Sequence, residues 1–113
     1  MSKVVSIVYL YGFNTRNATR LEKLIGIIRE QIKLGALIKI ILIHDGVIGI
    51  SKQGKISPTL LELLNLSLEV YALNSDLIAR WIDLQVLHEK IHIIGYEELV
   101  DILVEAKKIV SWI

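Results

Sequence analysis

The chain has 113 residues, with 13 basic and 12 acidic side chains giving a formal net charge of +1, and 53% of it is hydrophobic. That length suits one domain, residues 1–113, around one core. The interspersed charges lack the basic stripe that displaces counterions from phosphates, so no direct nucleic-acid binding is expected. There is no cysteine, which excludes a disulfide scaffold, a thiolate zinc site, an iron–sulfur cluster and a cysteine nucleophile.

So much apolar surface on so small a domain cannot all be hidden inside, which suggests a subunit interface and hence an oligomer. Ser2–Lys3 leads directly into a strand-like run with no small-residue cleavage site, so no signal peptide is expected. The most apolar stretch, Leu34 to Ile50, is interrupted by Lys39, His44 and Asp45, whereas a membrane span needs about 20 nearly uninterrupted apolar residues. A soluble, cytoplasmic protein is expected, without membrane contact.

In chain order, Val4 to Tyr11 is β-branched and aromatic and predicts a buried strand, bounded by Gly12-Phe13-Asn14. From Asn17 to Leu34, Leu21, Leu24, Ile25, Ile28 and Ile32 recur at helical spacing, and Gly35 stands where a C-terminal cap belongs. Leu37 to Ile43 predicts a second buried strand, stopped by His44-Asp45-Gly46, with a loop over Val47 to Ile56. Ser57-Pro58 reads as an N-cap and first helical residue, opening a helix through Asn65. Leu68 to Leu73 is a third strand, and Asn74-Ser75-Asp76 is read as the cap of a short helix from Leu77 towards Ile82. Ile91 to Ile94 predicts a fourth strand, Tyr96 to Lys107 a last helix, and Ile109 to Ile113 a closing fifth strand. Strands that are continuous apolar runs and alternate with helices predict an α/β fold with a mainly parallel sheet covered on both faces.

Two chemical motifs are near misses. His88-Glu89-Lys90-Ile91-His92 matches the zinc-protease signature, which needs both imidazoles on one helical face. The second histidine begins a predicted strand, where positions four apart lie about 13 Å from each other, so no metal site is expected. Gly49-Ile50-Ser51-Lys52-Gln53-Gly54-Lys55-Ile56 nearly spells a phosphate-binding loop, but Ile56 replaces the magnesium-binding hydroxyl. No cofactor is expected. Asp45 and Asp76 fall at strand C-terminal ends, the edge where open parallel sheets bind ligands, although Asp at such places more often caps a turn.

Two segments resemble the DsrH/TusB family of sulfur-relay subunits. Ile40-Ile41-Leu42-Ile43-His44-Asp45-Gly46-Val47 is similar to that family's hydrophobic strand ending in Asp-Gly-Val, and Val70-Tyr71-Ala72-Leu73-Asn74-Ser75-Asp76-Leu77-Ile78-Ala79-Arg80 to its third strand and helix start. Gly95-Tyr96 before a helix and Trp112 near the C-terminus also fit. The resemblance implies a three-layer α/β/α, DsrEFH-like fold with a five-stranded, mainly parallel sheet. It implies assembly with cysteine-bearing DsrE/TusD-like and DsrF/TusC-like sisters that pass sulfur as a persulfide, for 2-thiolation of the tRNA wobble uridine or for sulfur oxidation. The family often has Gly after the Arg, where this chain has Trp81.

In the sisters the thiol is placed near the junction of the third strand and the next helix, around Leu73–Asn74 here; this chain has Asn74, Ser75 and Asp76 in that frame. Asp76 would repel a thiolate, and its expected roles are completing the cap and pairing with Arg80 four residues on. Tyr11, Asn14 and Arg16 follow the first strand and are candidates to line a crevice with Asn74, the plainer reading being a polar loop. Trp81 and Trp112 are interface candidates, Trp112 equally a core residue. The expectation is a non-catalytic subunit of a sulfur-relay complex, not an enzyme by itself; the alternative is a homo-oligomeric module binding a small ligand at the strand ends.

Overall fold

The structure, a computed structural model, describes residues 5–113. Ser2, Lys3 and Val4, on which the leader reading and the start of the first predicted strand rest, lie outside the described residues. Five strands, β1 (Ser6–Tyr11), β2 (Leu37–Leu42), β3 (Glu69–Leu73), β4 (Ile91–Ile94) and β5 (Lys108–Trp112), alternate with helices α1 (Ala18–Lys33), α2 (Pro58–Leu64), α3 (Asn74–Ala79) and α4 (Tyr96–Glu105). The strands form one sheet in the order β4-β3-β2-β1-β5. Every pairing is parallel.

The first three crossovers step outward from β1, and the last returns past it to place β5 on its other side, so the helices cover both faces. Ile7, Tyr9, Ile40 and Val70 pack with Leu21, Leu24, Ile25 and Ile28 of α1, Leu60 and Leu63 of α2 and Leu77 of α3. The alternate residues Val8, Ile41 and Ile43 point the other way, towards Leu99, Ile102 and Leu103 of α4. Fully burying one such aliphatic side chain contributes about 1.5–3 kcal/mol, so the α1–α2 face carries most of the stability.

Local signals set the helix ends. Asn17 accepts a hydrogen bond from the Arg20 N–H at 3.5 Å, and the Ser57 hydroxyl accepts from the Leu60 N–H at 3.1 Å. Gly35, at φ 89°, closes α1 with the paired bonds Gly35 N–H to Ile32 carbonyl, 2.9 Å, and Ala36 N–H to Gln31 carbonyl, 3.0 Å. The three-layer α/β/α architecture agrees with the expectation. Among the described residues no helix is long and apolar enough to cross a membrane.

Candidate functional site

The C-terminal ends of the parallel strands gather the loops at one edge. After β2 the chain makes a single 3₁₀ turn over His44–Val47. His44 holds a left-handed backbone, φ 49°, and its N–H donates to the Asp76 carboxylate at 2.8 Å. Gly46 runs against β1, where an added Cβ would sit 2.1 Å from the Tyr11 carbonyl oxygen. Glycine is required here by close approach of two backbones, which gives the Asp-Gly-Val signature its physical reason.

Asp76 stands in the first turn of α3, beside the 3₁₀ turn. The reading of Asn74-Ser75-Asp76 as a cap for a helix beginning at Leu77 is corrected. The helix begins at Asn74, its N-cap is Leu73, and no side chain bonds that cap. A tertiary donor, the His44 N–H, takes the carboxylate that would otherwise fold back on its own helix, and a carboxylate in a first turn is also favoured by the helix dipole. The pairing with Arg80 is present: Arg80 Nη1 lies 3.5 Å from the Asp76 carboxylate. The guanidinium also donates to Asp45 from Nε at 3.3 Å and from Nη2 at 3.1 Å. His44, Asp45, Asp76 and Arg80 thus make one latch tying the β2 turn to α3, with Gly46 fitted beneath it. Ser75 is exposed on the first turn of α3.

Asp76 is the latch's hub, with only 18% of its side chain exposed. Asp76→Ala leaves the His44 N–H without its acceptor and removes one of the two carboxylates that hold Arg80, and is expected to cost about 1–3 kcal/mol in urea unfolding. Asp76→Asn, which keeps one acceptor oxygen, should lose less. Equal stability of Asp76→Ala and wild type would show that the latch holds nothing.

The crevice candidates sit in unlike settings. Tyr11 is fully buried, its ring edge-on to Phe13 at 5.8 Å and 6.4 Å from Trp112. Burial pushes its phenol pKa up, against the opposing pull of Arg20. Neither the Tyr11 hydroxyl nor the buried Asn74 side-chain oxygen has a hydrogen-bond partner among the described residues. Asn14 acts as a turn former, its side chain accepting the Arg16 N–H at 2.9 Å. Arg16 lies across the loop after β2, where a Cβ at Gly54 would meet its guanidinium at 2.7 Å. Trp112 is half-buried on β5, paired in register with Tyr11, and packs against the main core. Trp81 projects into solvent, 95% exposed.

Thr15 anchors this edge unannounced by any sequence signal: it is fully buried, and its hydroxyl donates to the Ile48 carbonyl at 2.6 Å. On the α4 face, Tyr71 and His92, with ring centroids 5.6 Å apart, line a shallow groove with Glu69 and with Glu98 of α4. Burial, together with hydrogen bonding and charge from Glu69, pushes the Tyr71 phenol up to about 12.

The zinc-like motif has no helix. His88 precedes β4, its Nδ1 accepting the Lys90 N–H at 3.1 Å, and His92 lies within the strand. Glu89 instead pairs with Lys52 at 2.8 Å, a hydrogen bond that holds its carboxyl down to about 2. No group of three or more metal-ligating side chains occurs among the described residues.

Comparison with known proteins supplies the wider setting. The family model for DsrH, described as DsrH like protein, matches residues 17–109. No curated protein matches the chain. Among solved structures, MTH1491 from Methanobacterium thermoautotrophicum, titled a protein of unknown function, is similar with a TM-score of 0.76 at 18% identity, over 95% of this chain and 98% of that one. The ychN protein from E. coli is similar with a TM-score of 0.70 at 17% identity, over 96% of this chain and 99% of that one. At such identities the likeness shows the fold alone.

Proposed function

Because the chain belongs to the DsrH-like family, we propose that it is a non-catalytic subunit of a sulfur-relay complex, shaping the assembly without carrying the sulfur. The observation that carries this reading is the family match over residues 17–109 in a chain with no cysteine. Transferable sulfur is held as a persulfide on a thiolate, and this polypeptide offers none. Its partners are cysteine-bearing DsrE/TusD-like and DsrF/TusC-like subunits, and the relay serves wobble-uridine 2-thiolation or sulfur oxidation in the cytoplasm. Residues 1–113 act as one domain in it.

At the β3–α3 junction, where the resemblance puts a sister's thiol, this chain has Asn74, Ser75 and Asp76. Asp76 is engaged by His44 and Arg80, which supports a structural role for the junction. Support for assembly comes from the apolar surface: Tyr96, Val100 and Val104 are 65%, 53% and 77% exposed, spaced to form one stripe along α4.

Co-expression with the cysteine-bearing DsrE-like and DsrF-like proteins of the same organism tests the reading. A stable complex of defined stoichiometry is expected on size exclusion. Elution of the chain apart from every such sister would overturn it.

A further inference from the structure

The C-terminal end of α3 closes with the same paired bonds as α1. The Trp81 N–H donates to the Ile78 carbonyl at 3.1 Å, and the Ile82 N–H to the Leu77 carbonyl at 3.0 Å. This geometry puts Trp81 at φ 56°, the left-handed position that glycine fills in most such caps because it has no Cβ to crowd the carbonyl. A bulky side chain there is an outlier that costs free energy. Packing within the chain returns nothing for it, since the side chain is 95% exposed.

The strained turn is also held rigidly. Leu77 is fully buried beneath it, and Arg80, the preceding residue, is fixed by Asp45 and Asp76. Ile78 and Leu84, three residues to either side in sequence, are 60% and 38% exposed and add apolar surface to this projecting knob. A destabilising conformation that presents a large aromatic to solvent on a pinned turn is explained by a contact made outside the chain.

Resting on the subunit reading above, we infer that Trp81 is the anchor by which this chain docks on a cysteine-bearing sister, its indole entering an apolar pocket with a basic rim. The knob chooses against a second copy of itself. Across a two-fold axis the projection would meet its own copy, not a pocket. Charge decides the rim: Asp83 is exposed two residues after Trp81, and Asp45, 62% exposed, is paired with the neighbouring Arg80. Like carboxylates would face each other across a two-fold axis, whereas lysine or arginine on a partner meets both and stacks on the indole.

Trp81→Gly separates docking from folding, because glycine suits the backbone at this position. The purified variant is expected to unfold at an equal or higher urea midpoint than wild type. Its affinity for the purified DsrE-like and DsrF-like sisters is expected to fall about 30-fold, the loss typical of an interface hot spot. In a Trp112→Phe background, Trp81 emission should shift to the blue when the sister is added. Wild type and Trp81→Gly binding the sister equally, with unchanged emission, would overturn the inference and leave the subunit reading intact. Wild type binding neither sister would overturn the subunit reading, and the inference with it.

Discussion

Gly46→Ala is expected to destabilise the chain by about 3 kcal/mol, the upper part of the range for forcing atoms into a packed interior. The added Cβ would lie 2.1 Å from the Tyr11 carbonyl oxygen and 3.1 Å from its carbon. The atoms in the way are backbone, so no side-chain rotation relieves the clash. Either the 3₁₀ turn lifts away from β1 or the end of the sheet deforms. Both movements weaken the bonds that meet there: the Ile43 N–H donates to the Tyr11 carbonyl at 3.0 Å, and the His44 N–H to Asp76. Against the 5–15 kcal/mol typical of whole domains, about 3 kcal/mol is a large fraction. Gly26→Ala is the control. It lies in the exposed face of α1 with nothing within 4 Å of an added Cβ, so alanine should stabilise by up to about 1 kcal/mol. Urea unfolding of both variants checks the pair, and equal midpoints would refute the close-approach account of Asp-Gly-Val.

The sheet and most helix ends were legible because each rests on local chemistry. Ile91–Ile94 is the strand expected from four residues of pattern, and Ser57 and Gly35 act at helix ends as expected, with Asn17 capping the start of α1. The last helix stops at Glu105, short of the expected Lys107. The β3–α3 junction misled for a tertiary reason. Asn-Ser-Asp carries a cap's composition, but the His44 N–H competes for Asp76 and wins, so the helix starts three residues early. The pairing of Asp76 with Arg80 followed from helical spacing, whereas the second partner, Asp45, is 35 positions away and reached only through the fold. Tyr11 ends a strand next to a polar loop and so read as a crevice residue; the rings of Phe13 and Trp112 close over it instead. Trp81 was visible as an unusual residue after Arg80, but its left-handed backbone was not, because sequence alone placed the end of the helix beyond it.

A second, all-or-none effect is expected in sulfur loading. Sulfur handed along a relay must be covalently held between transfers, and among side chains it is the cysteine thiolate that attacks a persulfide donor and becomes the next carrier. With no cysteine in the sequence, the chain has no atom on which that exchange can occur. In the proposed role its contribution is binding, and Asp76 beside the strand-end junction would itself oppose an approaching thiolate. The effect of removing this subunit is therefore indirect: a thiol-bearing sister should still be loaded chemically, while its hand-over within the complex loses the surface that orients it.

The most direct measurement is transfer of labelled sulfur from a low-molecular-weight persulfide donor to the purified chain alone, to the sister alone, and to the two together, read by intact mass. The account predicts label on the sister in both its samples and none on this chain in any. A persulfide-sized mass increment on the isolated chain, or turnover of the donor by it without an added thiol protein, would contradict the account at its root.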